Sequence, residues 1–451
     1  MAGSWLRPDQ VGIDRYLWLP LSRINERAVR SSLRFENPRG GTEHPYLRLY
    51  DRIGAHLVVP RSYVPYRRLR RGSWEIVDRR PTEWPNAGMV DKVTLRDDGV
   101  QEPAYQALIS THKSRDKIVV ASCGSGKTVF ALKGAATRNV PTMIVGPPGL
   151  LEQWRERIEE FVGVSSIGRV HAAKDDWEHP ICLASLDTLA KRATEGRLPY
   201  QEWNRHFGLW IFDEVHFLGA PTFLEAADIG IGERWGLSAT DIRPDGMESI
   251  FYYMVGEVVY RGPVRPARLH VVRTGIQIPM EDITAYDGSI DNQELWKYLI
   301  ENEERNQLVG WYIERLRAEG RVTLAFSQRL KHLNTLGDYF DARGIPYGRI
   351  DAKVKFRDRL KVLCQHPLTL AITSTAKHGL DRDDLDTCVL LLPEYSPITV
   401  MQTVGRAQRA KRTATLHVFQ DDNPICRAKI KKLEAVCRRL DWEIVREDLR
   451  L

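Results

Sequence analysis

The stretch that decides the fold is IVVASCGSGKTVFALKGAAT at residues 118–137, where an apolar run leads into a glycine-rich turn and then a helical pattern. A strand, a glycine loop and a helix in this order form a phosphate-binding loop, because backbone N–H groups and the helix N-terminus point at one anion. Ala121 stands where the pattern has its first glycine. The lysine is expected to reach the β- and γ-phosphates of ATP, and the threonine hydroxyl to bind Mg²⁺. The residues expected to surround ATP are Gly124, Ser125, Gly126, Lys127 and Thr128.

A second segment, LWIFDEVH at 209–216, ends a four-residue apolar run with two adjacent carboxylates. Open parallel sheets bind ligands at the carboxyl ends of their strands. Cleavage of a phosphoanhydride needs a carboxylate to hold Mg²⁺ and a residue that orients and deprotonates the attacking water. The spacing therefore predicts Asp213 as a metal ligand and Glu214 as the general base.

The composition of the chain excludes several classes of protein. Its 451 residues are 43% hydrophobic and 28% charged, with a net charge of +7, which is typical of a soluble globular protein and not of a disordered chain. No uninterrupted apolar run approaches the roughly 18 residues needed to span a bilayer, and the first residues lack the apolar core of a signal peptide. We therefore expect no membrane association and a cytoplasmic protein. The six cysteines form no CxxC pair, so no zinc site is expected.

Short apolar runs alternate with helical segments from about residue 92 onward, which predicts parallel sheets covered by helices on both faces. The fold class predicted is α/β, with two tandem parallel-sheet domains behind a small strand-rich N-terminal domain. The predicted bounds are 1–88 for the N-terminal domain, 92–262 for the first parallel-sheet domain, 263–300 for a connector and 301–451 for the second parallel-sheet domain.

Arginine is concentrated in the run RSYVPYRRLRRGSWEIVDRR at residues 61–80, where tyrosine and tryptophan interleave with the bases. Guanidinium groups suit phosphate oxygens and aromatic rings can stack on bases, so the run is a candidate nucleic-acid surface. A solvated strand-and-turn face is an equally good interpretation of this run taken alone. The residues proposed to bind are Arg67, Arg68, Arg70 and Arg71.

The order of further motifs, with SAT at 238–240 and QTVGRAQR at 402–409, resembles that of the superfamily 2 helicases from about residue 95 to 420. YQ at 105–106 resembles the motif whose glutamine contacts adenine, which implies this role for Gln106. PPGLLEQW (147–154), ASLDTLA (184–190), LAFSQ (324–328) and ITSTAKHGLDRDDLD (372–386) resemble further helicase motifs.

The resemblance implies a role for each matched residue. The residues implied to contact nucleic acid are Pro147, Gln153, Ser185, Phe326 and Thr373. Gly379 and Asp381 are implied to bind ATP. Gln402, Arg406 and Arg409 are implied to act in catalysis together with Lys127, Asp213 and Glu214. His216, Ser238 and Thr240 are implied to couple ATP hydrolysis to movement.

The likeness is best to phage and bacterial DNA helicases related to the double-stranded-DNA translocases of repair and recombination. It implies that the two parallel-sheet domains are RecA-like, and that the chain is an ATP- and Mg²⁺-dependent enzyme of the cytosol of a bacterium or a phage-infected host. This enzyme unwinds or remodels branched duplex DNA by coupling ATP hydrolysis to cleft closure between the RecA-like domains. DNA, single-stranded, duplex or branched, is the expected partner. An RNA helicase, an ATP-switched nucleic-acid clamp and the motor subunit of a restriction or defence complex stay open as alternatives.

Overall fold

The structure is a computed structural model that describes residues 5–37, 45–111, 115–122, 124–220, 223–240, 247–263, 266–284, 291–375, 382–393, 397–407 and 412–449. The chain divides into two compact units, Met1–Pro263 and Val264–Leu451. Each unit contains a parallel sheet flanked by helices, which confirms the predicted α/β class. None of the described helices combines the length and the apolarity that crossing a bilayer requires.

The first unit begins with a five-stranded sheet that is mostly antiparallel. The hairpin between strands Asp51–Ile53 and His56–Pro60 turns at Gly54, whose φ of 58° lies in the left-handed region that glycine tolerates best. The strands in sheet order are Asp51–Ile53, His56–Pro60, Tyr16–Pro20, Val11–Ile13 and Ile76–Asp78. A two-stranded ribbon (Arg34–Glu36 and Tyr46–Arg48), a 3₁₀ turn (Leu21–Arg23) and the helices Glu26–Ser32 and Tyr66–Arg71 complete this region.

The N-terminal sheet shares one hydrophobic core with the larger sheet that follows it, so that Leu17 and Leu57 belong to the same buried cluster as Phe212. A buried ion pair reinforces this contact: the Arg61 guanidinium donates to both oxygens of Asp116 at 2.8 and 2.6 Å. It also donates to the backbone carbonyl oxygens of residues 230–232. The N-terminal residues and the following sheet therefore form a single packed body.

The basic run at 61–80 is thus divided by the fold. Arg61 is 4% exposed and Arg80 is 7% exposed, and both pair with Asp116. These two arginines are structural and leave the candidate nucleic-acid surface to the exposed arginines between them.

The central sheet of the first unit has eight strands, of which only the edge strand Lys174–Asp176 runs antiparallel to its neighbour. Its inner strands are buried on both faces, which explains why each contains a run of apolar residues. The strands in sheet order are Lys174–Asp176, Ile167–His171, Ile181–Ser185, Thr142–Gly146, Leu209–Asp213, Glu233–Ser238, Lys117–Val120 and Glu257–Arg261. Val90–Asp91 and Val162–Gly163 form a separate small pair.

Helices connect these strands and cover the sheet. They are Gln101–Ile109, Lys127–Arg138, Pro148–Phe161, Leu186–Thr194, Tyr200–His206, Leu224–Ala227 and Glu248–Met254, together with the 3₁₀ helix Val215–Gly219.

The second unit contains a seven-stranded parallel sheet. Its strands in sheet order are Gly348–Ile350, Leu368–Ile372, Thr323–Ser327, Thr387–Leu390, Ala414–Asp422, Ala267–Gln277 and Glu443–Asp448. Its helices are Asn292–Glu301, Glu303–Ala318, Leu330–Asp341, Phe356–Gln365, Pro397–Ala407 and Pro424–Arg439, with a 3₁₀ turn at Glu281–Ile283.

The segment 263–300, for which the sequence predicted a connector, contributes regular structure to the second unit. Ala267–Gln277 is an eleven-residue strand hydrogen-bonded between Ala414–Asp422 and Glu443–Asp448. Buried and more exposed residues largely alternate along this strand, and the exposed ones are mostly polar. RLHVVRTGIQ therefore lacks the short apolar run by which the other strands were predicted.

Candidate functional site

The loop that joins strand Lys117–Val120 to helix Lys127–Arg138 has the backbone geometry of an anion cradle. Gly124 (φ 72°) and Gly126 (φ 88°) lie in the left-handed region, which a residue with a side chain adopts only at a cost of about 1–2 kcal/mol. Ala121 is not among the residues of positive φ, so its methyl group is accommodated without backbone strain. The departure from the glycine pattern at this position therefore leaves the loop intact.

Lys127 is the first residue of the helix and its side chain folds back over the loop. The ammonium group donates to the carbonyl oxygens of Ala121 and Ser122 at 3.0 and 3.3 Å. Thr128 follows it in the first helical turn. The side chain of Ser125 is buried within the loop, and its hydroxyl has no hydrogen-bond partner among the described residues.

Gln101 is the glutamine whose side chain is hydrogen-bonded to this loop, while the adenine contact expected of Gln106 stays a prediction. The Gln101 side chain is 2% exposed and donates from Nε2 to the Ser125 carbonyl oxygen at 3.1 Å. Its Oε1 accepts from the backbone N–H of Arg96 at 2.8 Å. Gln106 is exposed and donates to Glu102 at 2.7 Å, one helical turn away. The two glutamines are five positions apart, so they lie on different faces of one helix.

Asp213 ends strand Leu209–Asp213, and both oxygens of its carboxylate are held by N–H donors. Oδ2 accepts from the indole Nε1 of Trp154 at 2.8 Å, and Oδ1 accepts from the backbone N–H of Glu214 at 3.0 Å. Burial and the neighbouring Glu214 raise the pKa of the Asp213 carboxyl, while the Trp154 hydrogen bond and the charge of Lys127 work in the opposite direction. The charge of Lys127 is thus near enough to lower the pKa of this carboxyl.

Three adjacent strand ends meet at this edge of the sheet. Strand Glu233–Ser238 lies between the strand that ends in Asp213 and the strand that leads into the glycine loop, with Leu237 in register with Asp213 and Ser238 in register with Val120. The oxygens of Asp213 and Thr128 are hard ligands of the type that Mg²⁺ prefers. Among the described residues there is no group of three or more acidic, histidine or cysteine side chains that could cage a metal. One or two protein oxygens suit Mg²⁺, which usually keeps waters and binds phosphates as well.

Glu214 has a left-handed backbone, with φ and ψ both 51°, and its side chain is buried. Its Oε2 lies 3.3 Å from His216 Nδ1, which is also 3.1 Å from the Ser238 hydroxyl. Ser238 donates in turn to the Thr240 carbonyl oxygen at 2.6 Å. Residues expected to couple hydrolysis to movement thus form one continuous chain of polar contacts that begins at Glu214.

The residues expected to contact nucleic acid in the first unit fall into two groups. Pro147 and Gln153 are partly exposed at and within helix Pro148–Phe161. Ser185, by contrast, is completely buried at the end of a central strand, so its side chain offers no surface to a nucleic-acid backbone. The arginines at 67, 68, 70 and 71 are exposed on helix Tyr66–Arg71, which is anchored by buried Leu69.

The expected residues of the second unit are described only in part. Phe326 is 3% exposed within a central strand and packs in the core, which corrects its assignment to nucleic acid. Thr373 is partly exposed, and its backbone N–H donates to the Ser327 carbonyl oxygen at 2.8 Å. Arg406 is 6% exposed on helix Pro397–Ala407. Burial raises the pKa of the Cys388 thiol, and the positive charge of Arg406 works to lower it.

The helix Pro397–Ala407 also carries Gln402, whose side chain is not among those described. Gly379, Asp381 and Arg409 lie outside the described residues. The catalytic and ATP-binding roles of these residues stay predictions.

Sequence reasoning missed Gln101 and Trp154. Trp154 was within reach, since it ends the segment PPGLLEQW that was singled out for other reasons. Its link to Asp213 joins residues 59 positions apart, and no local pattern encodes such a contact.

Two family models match the chain. Residues 93–241 match the model described as "Type III restriction enzyme, res subunit", and residues 304–411 match the model described as "Helicase conserved C-terminal domain". Each match lies within one unit, and together they span all the motifs whose order resembles that of superfamily 2 helicases.

Several curated proteins are similar in sequence. A protein of Acanthamoeba polyphaga mimivirus, provisionally named ATP-dependent RNA helicase L396, is 26% identical over 71% of this chain and 65% of its own length. The DNA 3'-5' helicase XPB of Kineococcus radiotolerans is 27% identical over 73% of this chain and 62% of its own length. The DNA 3'-5' translocase XPB2 of Sulfurisphaera tokodaii is 32% identical over 44% of each chain. The chain thus spans less than two thirds of the length of these relatives.

Among solved structures, Saccharomyces cerevisiae Dbp5 bound to RNA and ADP BeF3 superposes with a TM-score of 0.54 at 14% identity. The match covers 77% of this chain and 89% of that one. At this identity the likeness concerns the fold, which is that of paired RecA-like domains. The family models and the curated relatives together support a superfamily 2 helicase.

Proposed function

We propose that this chain, whose two units carry the domains of a superfamily 2 helicase, is an ATP-driven helicase or translocase that acts on DNA. The observation that carries the proposal is the edge of the central sheet, where the glycine loop, the Asp213–Glu214 pair and Ser238 lie at the carboxyl ends of three adjacent parallel strands. A phosphate cradle near two adjacent carboxylates is the arrangement that hydrolysis of a nucleoside triphosphate needs.

In the proposed reaction the glycine loop binds the phosphates through its backbone N–H groups, and Lys127 exchanges its carbonyl partners for phosphate oxygens. Asp213 and Thr128 would hold Mg²⁺, which supplies charge neutralisation at the phosphates. Glu214 orients the attacking water and accepts its proton. Arg406 and Arg409 of the second unit are proposed to stabilise the transferring phosphoryl group, a contribution that reaches about 10³–10⁵ in related reactions. Hydrolysis then depends on closure of the two units around ATP.

The contact chain from Glu214 through His216 to Ser238 supports a second element of the proposal. A change at the γ-phosphate that moves Glu214 alters its 3.3 Å contact with His216, and His216 holds the segment that follows strand Glu233–Ser238. We propose that this series of contacts transmits the state of the nucleotide to the surface that binds nucleic acid. Packed elements with two discrete arrangements can carry such a signal.

The exposed arginines of the N-terminal region support nucleic acid as the partner. Two hydrogen bonds join the ends of helix Glu26–Ser32 to the segments that flank helix Tyr66–Arg71. Arg23, just before the first helix, donates to the Ser73 carbonyl oxygen at 2.9 Å, and the Ser32 hydroxyl is 2.7 Å from the Tyr63 hydroxyl. Every basic side chain before Lys92, histidine apart, is an arginine, the residue whose planar fork matches phosphate.

The choice of DNA, and of branched duplexes with 3'-to-5' tracking, is the finer part of the proposal. It is supported by two relatives named as DNA 3'-5' helicase and translocase, and by the likeness of the sequence to phage and bacterial helicases of repair and recombination. The mimivirus relative, named for RNA, keeps an RNA helicase as the second candidate.

One experiment tests the proposal and ranks its alternatives. The ATPase rate of the full chain is titrated with single-stranded, duplex, forked and four-way DNA and with RNA of equal length. We expect strong stimulation by DNA, with the greatest effect from a branched duplex. Stimulation by RNA alone would favour the RNA helicase. An ATPase rate that none of these nucleic acids changes would contradict the proposal that the chain is a nucleic-acid motor.

Two further alternatives need a strand-separation assay with a fluorescently labelled fork. Strand separation would support the helicase, whereas hydrolysis stimulated by DNA without strand separation would leave a translocase or a nucleic-acid clamp. Such hydrolysis would also fit the motor subunit of a restriction complex, which the name of the matched family model keeps open.

A further inference from the structure

Trp154 makes the one side-chain hydrogen bond that the described structure gives to the Asp213 carboxylate. It lies in the middle of helix Pro148–Phe161, 1% exposed, among the buried residues Leu150, Leu151 and Ile158. Helix Pro148–Phe161 follows the strand next to that of Asp213, and this neighbourhood brings the indole Nε1 to within 2.8 Å of Oδ2.

A plain packing role would explain the burial of Trp154, since large aromatic side chains fill cores and a buried indole usually finds a partner. Within the described part of this unit, however, the indole nitrogens of the equally buried Trp203 and Trp210 have no hydrogen-bond partner. The fold therefore tolerates buried indoles without an acceptor, although the buried Trp235 does donate to the Glu233 carboxylate at 2.9 Å. What distinguishes Trp154 is that its acceptor is a carboxylate of the candidate site.

The two N–H donors act on different oxygens of Asp213, which fixes the plane of the carboxylate. The backbone donor of Glu214 holds Oδ1 and the indole holds Oδ2. Each carboxylate oxygen has a second lone pair, so each keeps the capacity to bind a cation. Partners of this kind orient metal ligands, and their loss commonly lowers metal affinity or activity by about 10- to 100-fold.

We propose that Trp154 is a positioning residue that holds Asp213 in the orientation in which it binds the Mg²⁺ of the nucleotide complex. This inference rests on the proposed function and deepens it by naming a residue outside the two nucleotide motifs. Trp154 touches neither nucleotide nor metal, and acts only through the carboxylate.

The test compares Trp154→Phe with Trp210→Phe in the full chain. Trp210 lies on the strand that ends in Asp213 and is completely buried, so its substitution removes an indole of the same kind without removing a hydrogen bond. Binding of the fluorescent nucleotide mant-ADP is followed by anisotropy under direct excitation of the label, in MgCl₂ and in EDTA. For Trp154→Phe we expect the affinity gain on adding Mg²⁺ to fall by roughly 10-fold, with affinity in EDTA little changed.

A second measurement separates positioning from general damage. The Mg²⁺ concentration that gives the half-maximal ATPase rate should rise by about 10-fold in Trp154→Phe, and excess Mg²⁺ should restore most of the rate. Should Trp154→Phe not fold, Trp154→Met serves in its place, because methionine adapts to irregular core space.

The outcomes distinguish this inference from the proposed function. Equal Mg²⁺ dependence in wild type and Trp154→Phe, or an equal shift in Trp210→Phe, overturns the positioning role and leaves the proposed function standing. A wild-type chain that binds mant-ADP without any effect of Mg²⁺ contradicts both.

Discussion

The side-chain amide of Gln101 donates a 3.1 Å hydrogen bond to the carbonyl oxygen of Ser125, and this contact ties the helix Gln101–Ile109 to the glycine loop. The amide also fills the space beside Gly126, where an added Cβ atom would approach Nε2 to 2.1 Å. A side chain at either position therefore constrains the other, and the shape of the loop depends on both.

We expect Gln101→Ala to weaken ATP binding, because the loop loses the buried amide that supports its backbone. A buried hydrogen bond of this kind contributes about 1 kcal/mol, and leaving the Ser125 carbonyl without a partner adds about 1–3 kcal/mol. The apparent KM for ATP should rise roughly 10-fold, as measured by phosphate release. Gln106→Ala on the same helix, in the same assay, tests the adenine contact expected of that residue. An unchanged KM in Gln101→Ala would contradict the supporting role of the buried amide.

Glu214→Gln should abolish hydrolysis while ATP binding persists, because the amide keeps the shape of the carboxylate but cannot accept the proton of the attacking water. We expect a loss of at least about 10²-fold in kcat, the usual scale for removal of a general base. Lys127→Ala should lose both binding and hydrolysis. Nucleotide retention on a filter, measured beside phosphate release, separates the two defects. Substantial turnover by Glu214→Gln would assign the base to another residue.

Replacement of Arg67, Arg68, Arg70 and Arg71 by alanine should weaken DNA binding and flatten its salt dependence. Each lost phosphate contact reduces the slope of log affinity against log salt by about 0.9 on duplex DNA. The control replaces four exposed arginines of the second unit, namely Arg343, Arg427, Arg438 and Arg439. An unchanged slope in the first variant identifies helix Tyr66–Arg71 as a merely solvated face.

Arg61→Ala should destabilise the whole first unit, because it leaves the Asp116 carboxylate buried without its main partner. Breaking a buried ion pair in this way costs roughly 3–5 kcal/mol. Arg79→Ala, at an exposed neighbouring position, is the control. Urea unfolding followed by circular dichroism measures the difference. A cost below about 1 kcal/mol would mean that the N-terminal sheet is held by its apolar core alone.

The same ion pair predicts how stability depends on pH. Burial works to raise the pKa of Asp116, but the charges of Arg61, Arg80 and Arg234 outweigh it and lower the pKa below its ordinary value. The contribution of this carboxylate is therefore complete above about pH 4, the ordinary pKa of aspartate, and is lost as the pH falls through the lowered value. Asp116→Asn should remove this acid-side dependence in urea unfolding between pH 2 and 6. An unaltered pH profile would contradict the assignment.

The sequence by itself determined the fold class and the two local nucleotide motifs. The strand that leads into the glycine loop and the strand that ends in Asp213 each contain an apolar run because they are buried on both faces, so a few adjacent residues suffice to predict them. The loop is equally local, since its glycines supply the positive φ angles and its lysine starts the helix. The strand Ala267–Gln277 was not predicted because polar residues on its exposed side interrupt its apolar residues, so that no apolar run marks it.

Only the tertiary structure decided which side chains meet across the chain. It placed Gln101 against the glycine loop, buried Phe326 and Ser185, and brought Trp154 to Asp213. It also divided one arginine run into buried and exposed members, with Arg61 committed to Asp116. The physical reason is common to all of these: residue type and spacing specify backbone conformation, whereas the partner of a buried polar group is set by helix rotation and strand order over tens of residues.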